Sequence, residues 1–425
     1  MPGDASRFVP LMRQADRASI RPRATPVAVR PIRSEVAFIG PGCWGHGGTE
    51  AWHLSLLPRL QALGVRVGGY GVLTLEDGPI PDALRAAGVA LHTGLPTIRA
   101  LVAGAKLVVI WGNLDLPTIL TDTHPPVIAV AHGDANNQWT VSSMTEALPY
   151  AAQYVAISGP SMEAIPPSRR GTARTIINAV DPSRLVPSAD RDTLRARLGW
   201  SRPTLLLVSR LSAEKAPTMA VRALAHLPGW RLAVAGHGAD RGNMDRAADA
   251  LGVADRIDWL GVRGDIGDLL TAADCMIAPS PSEGCQLAAA EALWCGLPIA
   301  SCPVGILSDG RHGTIVPTTA TPQEWAGSIL RASADRRQSQ ADQEWARVQF
   351  DPDRQAAEWL DLIRHYVPAP VSTVPFEPGR IAQWRACPHL QRTTSCGCAT
   401  CVGGPLDGRK VTFADCLPCL QGRGS

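Results

Sequence analysis

The amino-acid sequence predicts an α/β fold built on parallel β-sheets. Its 425 residues are enough for two or three domains, and 45% of them are hydrophobic. Short apolar segments recur along the chain, and each is followed by a loop and a helix-like segment. Strands buried on both faces of a parallel sheet have this continuous apolar character. The alternation therefore favours repeated βα units over a helical bundle or an all-β fold.

The clearest βαβ unit spans residues 275–301. Cys275–Ala278 (CMIA) reads as a buried strand, and Pro279–Ser282 forms a Pro/Ser-rich turn. A helix is predicted from about Gln286 to Cys295, ended by the Gly-Leu-Pro sequence that follows it. A second strand is predicted at roughly Leu297–Ser301. Open parallel sheets bind ligands at the carboxyl ends of their strands, so the loop that enters this helix is the predicted ligand site.

Two carboxylates frame that loop, Glu283 before the helix and Glu291 within it. Eight residues of regular helix span ~12 Å. Backbone amides in the first helical turn lack intrahelical partners and suit a phosphate or a hydroxyl-rich ligand. Here these amides belong to Gly284, Cys285, Gln286 and Leu287. The alternative interpretation is that Glu283 caps the helix and Glu291 is solvated.

Candidate ligand residues also follow strands in the first half of the chain. Val36–Ile39 predicts a first strand, and the Gly-rich sequence GPGCWGHGGTE follows it. Its glycines allow close approach of a ligand to the backbone, and Thr49 is predicted to cap a helix that runs to Leu63. A later strand, Val127–His132, places His132 at its carboxyl end. The alternative for this histidine is a purely structural role.

Two cations follow a predicted strand in the second half of the chain. Thr204–Val208 (TLLLV) reads as a buried strand, and the sequence SRLSAEK comes directly after it. Arg210 and Lys215 then lie at the strand's carboxyl end, where two cations can neutralise a diphosphate leaving group. The alternative is a solvated pair of side chains on a loop. Lysine occurs only three times in the chain, which makes Lys215 worth noting.

These motifs, in this order, resemble the retaining family 4 glycosyltransferases over residues 35–366. The resemblance rests on the E-x7-E spacing of Glu283 and Glu291, on ADCMIAPSPSEG, on GGTE, on IINAVD and on the R-L-x-x-E-K segment. Two positions depart from the family's pattern, which commonly has glycine there. Gln286 places a bulky side chain beside the sugar, and Ala216 follows Lys215.

The resemblance implies a GT-B fold, which consists of two Rossmann-like domains that face each other across a cleft. Residues 35–185 correspond to the acceptor domain, and residues 186–366 to the donor domain, whose last helix crosses back. The implied reaction moves a sugar from a UDP- or GDP-type nucleotide sugar, with retention at the anomeric carbon, and implies no catalytic divalent metal. The acceptor is open: a glycan, a lipid, a protein or a modified nucleic acid.

The resemblance also implies residue roles. Glu283 orients the sugar, Glu291 holds the ribose, Arg210 and Lys215 stabilise the departing diphosphate, and His132 approaches the sugar from the first domain. The remaining implied donor-binding positions are Gly47, Gly48, Gly236, Val262, Arg263, Gly284, Cys285, Gln286 and Leu287. Two other classes stay open: a sugar-nucleotide epimerase on the same fold, and a nucleic-acid- or partner-binding protein with a decayed glycosyltransferase body.

The first 34 residues are rich in arginine and proline and are predicted to form a disordered arm. Such an arm suits weak contact with a nucleic acid or a membrane surface. The net charge of +3 is too small to demand a polyanionic partner. No apolar stretch is long enough for a membrane span and no secretory signal is visible, so we expect a cytoplasmic protein without a transmembrane segment.

Residues 367–425 combine a proline-rich linker with a cysteine-rich segment. Two C-x2-C pairs, Cys398/Cys401 and Cys416/Cys419, are separated by 14 residues. This spacing is typical of a zinc ribbon and predicts one structural zinc ion held by four thiolates. Cys387, His389 and Cys396 are further candidate ligands. An iron–sulfur cluster or redox role, and unliganded thiols, are the alternatives.

Overall fold

A computed structural model describes residues 31–43, 48–368, 390–392, 399–401 and 410–411. The chain divides into two compact units, Met1–Pro368 and Ala369–Ser425. The first unit contains two parallel β-sheets with helices against both faces, and we call the part around each sheet a lobe. The first lobe is built on the sheet of residues 36–175, and the second lobe on the sheet of residues 204–315.

The first sheet has seven parallel strands in the order β3-β2-β1-β4-β5-β6-β7. The strands are β1 (Val36–Cys43), β2 (Val67–Leu75), β3 (Leu91–Thr93), β4 (Leu107–Trp111), β5 (Val127–Ala131), β6 (Ala151–Ala156) and β7 (Arg174–Thr175). The helices are α1 (Gly48–Ala62), α2 (Pro79–Ala86), α3 (Leu95–Gly104), α4 (Leu116–Ile119), α5 (Gln138–Glu146), α6 (Gly159–Glu163) and α7 (Pro167–Arg170).

The second sheet has six parallel strands in the order β10-β9-β8-β11-β12-β13. The strands are β8 (Thr204–Val208), β9 (Arg231–Ala235), β10 (Ile257–Gly261), β11 (Cys275–Ala278), β12 (Ile299–Ser301) and β13 (Thr314–Ile315). The helices are α8 (Arg191–Leu198), α9 (Thr218–Leu224), α10 (Arg241–Ala250), α11 (Ile266–Ala272), α12 (Leu287–Trp294), α13 (Pro322–Ala334), α14 (Arg336–Gln349) and α15 (Pro352–Tyr366).

Each sheet separates two hydrophobic cores because successive side chains of a strand point to opposite faces. Along β1, Val36 and Phe38 enter one core, while Ala37 and Ile39 enter the other. The last helix, α15, follows the second lobe in the chain but packs on the first. Its Trp359 lies in the same core cluster as Phe38 and contacts the ring of Trp52, 5.7 Å away between centroids.

The predicted strands of both sheets are present, with shifted ends. The strand predicted at Cys275–Ala278 is confirmed, but β1 continues beyond Ile39 to Cys43. Gly40 therefore belongs to a strand, and a Cβ atom there would lie 2.3 Å from the Trp111 indole. The interpretation of Gly40 as a ligand-approach residue is wrong, since it makes room for this ring. Thr49 lies inside α1, which begins at Gly48, so its predicted capping role is also wrong.

The second unit contains a three-stranded antiparallel sheet of β14 (Leu390–Arg392), β15 (Ala399–Cys401) and β16 (Lys410–Val411). Cys401 is the last residue of β15 and is paired with Leu390. The other predicted or candidate metal ligands lie outside the described residues: Cys387, His389, Cys396, Cys398, Cys416 and Cys419. Residues 1–30 of the predicted arm also lie outside them. In the described part of the chain, no helix is both long and apolar enough to cross a membrane.

Candidate functional site

The two lobes meet where the carboxyl ends of their central strands face each other. The loop after β11 reaches the loop after β5, and Gly284 lies against the backbone of His132. A Cβ atom on Gly284 would lie 1.9 Å from the His132 carbonyl oxygen, so only glycine permits this approach. Ser158 and Ser161 of the first lobe both donate hydrogen bonds to the Gly284 carbonyl oxygen. The predicted ligand loop is therefore held between the lobes.

Lys215 and Glu283 form an ion pair at the centre of the second lobe's strand ends. The Lys215 Nζ atom lies 2.7 Å from Glu283 Oε1, and the two side chains are only 20% and 15% exposed. Lys215 follows β8 and Glu283 follows the adjacent strand β11, which explains how residues distant in sequence meet. The structure thus brings together a cation suited to a diphosphate and a carboxylate suited to sugar hydroxyls.

Arg210 is placed differently from Lys215. Its guanidinium pairs with Glu214, with Nη2 3.1 Å from Oε1, and its side chain is 62% exposed. The pKa of Glu214 is lowered: hydrogen bonding from Ser212 and the nearby cations Arg210 and Lys215 outweigh the opposing effect of burial. Arg210 therefore lies at the predicted strand end but does not contact Glu283 in this structure, where Lys215 holds that carboxylate.

Gly236 directly follows β9 and packs closely on the backbone of Ser209, which follows β8. A Cβ atom at Gly236 would lie 1.8 Å from the carbonyl oxygen of Ser209, and one at Gly238 would lie 2.2 Å from that of Leu211. These contacts pack the loop after β9 directly on the backbone that leads to Lys215. In this structure Gly236 packs the loop that positions the cation.

Glu291, in α12, is a buried carboxylate that forms an ion pair with Arg184. The Arg184 Nη1 atom lies 3.3 Å from Glu291 Oε1. Burial raises the pKa of Glu291, the cation of Arg184 opposes that shift, and the carboxylate of Asp181 adds to it. Arg184 is a residue that sequence reasoning missed. The available signal was its position, three residues after the IINAVD segment.

Gln286 and Ala216 share a backbone feature. They are the two non-glycine residues of the described chain that have positive φ, at 64° and 47°. Left-handed backbone is costly for L-residues and explains why the resembling family commonly has glycine at both positions. Gln286 immediately precedes α12, and Ala216 ends the turn that carries Lys215. Both strained positions thus adjoin the Lys215–Glu283 pair.

The Gln286 side chain is buried and fixed by β12. Its Oε1 atom accepts a hydrogen bond of 3.1 Å from the Ser301 hydroxyl, which also donates to the Cys302 carbonyl oxygen. Its Nε2 atom is buried and finds no hydrogen-bond partner in the described part of the chain. The expectation that Gln286 adds bulk beside the sugar is therefore refined: its carboxamide oxygen is held by the strand behind the loop.

His132 lies in an aromatic cluster of the first lobe. Its ring is 4.7 Å from the Trp52 ring and 5.6 Å from the Trp111 ring, between centroids. Burial lowers the pKa of His132 to about 3, so the imidazole is neutral at physiological pH. Its Nε2 atom is buried without a hydrogen-bond partner among the described residues. The residue thus presents a neutral polar atom beside the interlobe contact.

The remaining predicted donor residues are spread around this centre. Gly48 begins α1, and a Cβ atom there would lie 3.9 Å from the Leu287 side chain, so the first residue of α1 lies close to the first residue of α12. The Cys285 carbonyl oxygen accepts a hydrogen bond from the backbone of Ile306, and burial raises the pKa of its thiol to about 12. Gly47 lies outside the described residues.

Val262 and Arg263 follow β10 at the outer edge of the second sheet. Val262 is exposed. Arg263 pairs with Asp265 through both guanidinium donors, and this pairing raises the pKa of Arg263 and lowers that of Asp265. The described residues include no group of three or more His, Cys, Asp or Glu side chains arranged to hold a metal ion.

One interlobe contact was not predicted from the sequence. The Ser282 hydroxyl lies 2.7 and 2.9 Å from the two carboxylate oxygens of Asp134, a buried residue two positions after His132. Together with the Ser158 and Ser161 bonds, it connects the loop after β11 to the ends of β5 and β6. No local sequence pattern signals such pairs, because they arise only when the lobes meet.

Comparison with known proteins finds sequence similarity in the second lobe and structural similarity in the fold. Residues 202–335 match the family model described as Glycosyl transferases group 1. A protein named D-inositol 3-phosphate glycosyltransferase from Mycobacterium marinum (strain ATCC BAA-535 / M) is 37% identical over 162 residues, which cover 34% of each chain. The protein of the same name from Mycobacterium tuberculosis (strain ATCC 25177 / H37Ra) is 37% identical over 153 residues, covering 33% of this chain and 32% of its own. The matched region thus spans about a third of these curated relatives.

Solved structures extend the likeness to both lobes. HepE of Anabaena, in complex with UDP and glucose, has a TM-score of 0.67 at 19% identity, over 78% of this chain and 100% of its own. Sucrose-phosphate synthase from Thermosynechococcus elongatus has a TM-score of 0.63 at 20% identity, over 79% of this chain and 99% of its own. The predicted fold of two Rossmann-like lobes in a GT-B arrangement is confirmed.

Proposed function

We propose that this chain is a glycosyltransferase that moves a sugar from a nucleotide-sugar donor to an acceptor, with retention at the anomeric carbon. The observation that carries the proposal is the Lys215–Glu283 contact of 2.7 Å at the strand ends of the second lobe. It lies within the segment that matches the glycosyl transferases group 1 model. The matching family model and the curated relatives are both named as glycosyltransferases. This similarity favours a glycosyltransferase over an epimerase or a binding protein.

In this proposal the second lobe binds the donor. The ammonium of Lys215 and the first-turn amides of α12 stabilise the diphosphate as negative charge develops on it. Glu283 then accepts hydrogen bonds from sugar hydroxyls. Glu291, which Arg184 holds in place, accepts a hydrogen bond from a ribose hydroxyl. Arg210, whose exposed side chain pairs with Glu214, is the second cation available to the diphosphate. Val262 and Arg263 flank the base.

The first lobe presents the acceptor. His132 is neutral, so it offers a hydrogen bond to the sugar without adding charge beside the diphosphate. When transfer occurs without a covalent glycosyl-enzyme intermediate, retention requires the acceptor oxygen to attack on the face from which the diphosphate departs. The departing phosphate oxygen is then adjacent to the acceptor hydroxyl and takes its proton. The anomeric carbon loses its bond to the phosphate oxygen and forms a bond to the acceptor oxygen.

A uridine diphosphate donor is the first one to test, because the similar HepE of Anabaena binds UDP and UDP-glucose in its solved structures. The experiment titrates the purified chain with UDP-glucose, UDP, and a GDP-sugar, and follows thermal unfolding. A ligand at 100 times its Kd stabilises the folded state by about 2.7 kcal/mol. Absence of stabilisation by every sugar nucleotide contradicts the proposal.

The reaction class is tested by product analysis. Proton NMR of the product reports the anomeric configuration, and inversion contradicts the retaining assignment. Formation of an isomerised sugar nucleotide without acceptor identifies an epimerase instead. Salt-dependent binding of RNA or DNA, without donor turnover, identifies the binding-protein alternative.

For the cysteine-rich segment, one structural zinc ion stays a prediction. Four thiolates from Cys398, Cys401, Cys416 and Cys419 suit a closed tetrahedral site, because zinc binding supplies folding free energy to small segments. Elemental analysis of protein purified without added metal is the measurement. One equivalent of zinc per chain is expected, and an equal content in a Cys416→Ser/Cys419→Ser variant contradicts the ligand assignment.

A further inference from the structure

A cavity lies between the lobes, and its lining includes Pro281, two residues before Glu283. Its volume is about 480 Å³, within the range of small-molecule sites. The first lobe contributes Asp134, Asn136 and Glu163 to its lining, and the second contributes Pro281, Val304 and Thr318. These residues follow β5, β6, β11, β12 and β13 or lie in the short helix after β6, so the cavity continues the row of strand ends.

The cavity opens next to both residues that would face the donor sugar. Asp134 is two residues from His132, and Pro281 is two residues from Glu283. Two residues of chain span at most about 7 Å. The hydrogen bonds between Ser282 and Asp134 join these two loops at the cavity's inner edge. A molecule held there lies within reach of a sugar placed between His132 and Glu283.

The charged side chains that line the cavity are acidic. Its ionisable side chains are the carboxylates of Asp134 and Glu163, and the described residues bring no Lys, Arg or His to it. Asp134 is only 7% exposed, yet its partners among the described residues are neutral donors and not cations. Its described hydrogen-bond donors are the Ser282 hydroxyl and the Asn136 amide. A buried carboxylate without a counter-ion favours a cationic ligand and repels an anionic one.

We propose that this cavity is the acceptor site and that the acceptor is a hydroxyl-rich molecule that carries an amino group and no phosphate. Asp134 and Glu163 bind the ammonium group, while Asn136 and Thr318 bind hydroxyls. The inference rests on the proposed glycosyltransferase function and adds the acceptor's chemical class. It separates this chain from the relatives whose name specifies a phosphorylated inositol.

The test measures direct binding of sugar probes to the full chain by ligand-observed NMR at pH 6.5, with and without saturating UDP. Glucosamine is the probe, N-acetylglucosamine is its uncharged counterpart, and glucose 6-phosphate is the anionic one. Glucosamine is expected to bind at least tenfold more tightly than N-acetylglucosamine. Glucose 6-phosphate is expected to show no binding when UDP occupies the diphosphate site.

Two variants test the site itself. Glu163→Gln, on an exposed side chain, and Asp134→Asn, on a buried one, are each expected to weaken glucosamine binding about tenfold. Asp122→Asn, an exposed carboxylate outside the cavity, is the matched control and is expected to change nothing. If Asp134→Asn does not fold, Glu163→Gln alone decides.

Two results overturn the inference: glucose 6-phosphate binding as tightly as glucosamine in the presence of UDP, or glucosamine binding that Glu163→Gln leaves unchanged. Failure of the underlying function is distinguished by the donor, since it appears as absent binding of UDP and UDP-glucose. A transfer assay with UDP-glucose and the same three probes gives the second readout. The amino sugar is expected to be glycosylated, and a product formed only from the phosphorylated sugar contradicts the proposal.

Discussion

The two lobes differ in how the polar side chains near their strand ends are paired. In the second lobe the charged side chains are paired: Lys215 with Glu283, Arg184 with Glu291, Arg210 with Glu214, and Arg263 with Asp265. In the first lobe the groups around His132 are neutral rings, and the Asp134 carboxylate is bonded to the Ser282 hydroxyl and not to a cation. His53 stacks on Tyr70 at 4.0 Å, and the Nε2 atoms of His53 and His132 are buried without a described partner.

This contrast fits a division of labour. In the proposed function a diphosphate brings charge into the second lobe. Cations already paired with carboxylates can exchange those partners for phosphate oxygens at little cost in desolvation. In the same proposal the first lobe receives no phosphate charge, so the rings around His132 can remain neutral and Asp134 needs no cation beside it. The difference makes opposite predictions for pH and for charge removal in the two lobes.

The largest expected effect is acid destabilisation through the first lobe. Burial lowers the pKa of His53 and of His132 to about 3, from an ordinary value of 6.5. The unfolded state therefore binds more protons below pH 6.5, and stability is lost as the pH falls from 6.5 toward 3. Each pKa unit corresponds to about 1.4 kcal/mol, so the loss reaches several kcal/mol.

The measurement is the free energy of unfolding in urea at pH 7.5 and at pH 5. His132→Gln is expected to reduce the loss between these pH values, because it removes one buried proton acceptor. His226→Gln, whose ring is exposed, serves as the control and keeps the wild-type loss. An unchanged pH dependence in His132→Gln contradicts the neutral, buried imidazole.

Charge removal in the second lobe comes next. Lys215→Ala is expected to lower kcat about 10²–10³-fold, the usual effect of losing one group that stabilises developing charge. Arg210→Ala is the matched variant and is expected to lose less, since the Arg210 side chain is 62% exposed and pairs with Glu214. Steady-state kinetics with UDP-glucose compare the two. Equal losses in both variants would show that the buried pair has no special part in the reaction.

A smaller effect is expected where the lobes touch. Gly284→Ala adds a Cβ atom 1.9 Å from the His132 carbonyl oxygen, a backbone atom that cannot move aside without shifting its loop. Overpacking of this kind costs about 1–3 kcal/mol, and here it is relieved when the lobes separate. Small-angle scattering is expected to show a larger radius of gyration for Gly284→Ala. Gly171→Ala has open space at its Cβ position and is expected to scatter as the wild type does.

The smallest expected effect concerns backbone strain. Ala216→Gly relieves a φ of 47° and is expected to raise the free energy of unfolding by about 1 kcal/mol. Ala213→Gly, in the same turn but without positive φ, is expected to lower it. Gln286→Gly relieves strain too, but it also removes the hydrogen bond from Ser301, so its net change is expected to be small. Chemical denaturation of the three variants provides the test.

The sequence was informative where chemistry is local and silent where it depends on lobes meeting. The strand-end rule placed Lys215 and Glu283 at one edge of a sheet, and adjacent strands did bring them into contact. Gln286 and Ala216 were visible as departures from glycine, but their positive φ values emerged only in the structure. The Ser282–Asp134 contact had no sequence signal, because it joins two separate lobes.

The helices were also predicted well only where local sequence signals are strong. Helix α12, expected at about Gln286–Cys295, is observed at Leu287–Trp294, since strong flanking signals confined it. Helix α14 was missed because its sequence, RRQSQADQEWARVQ, has few apolar residues and offers a weak periodic pattern. It is held instead by tertiary contacts, such as the hydrogen bond from Gln343 to the Trp294 carbonyl oxygen.

The chain passes between the lobes twice, and the two passages are bonded to each other. The backbone amide of Val180 donates to the Phe350 carbonyl oxygen at 3.2 Å, and Gln355 Nε2 donates to the Ile177 carbonyl oxygen at 3.0 Å. Two covalent connections that are hydrogen-bonded side by side form a hinge. We expect them to allow rotation of one lobe about a single axis and to resist other relative motions of the lobes. Opening of the cleft is then described by a single angle, and one pair of spectroscopic labels, one in each lobe, is enough to follow it.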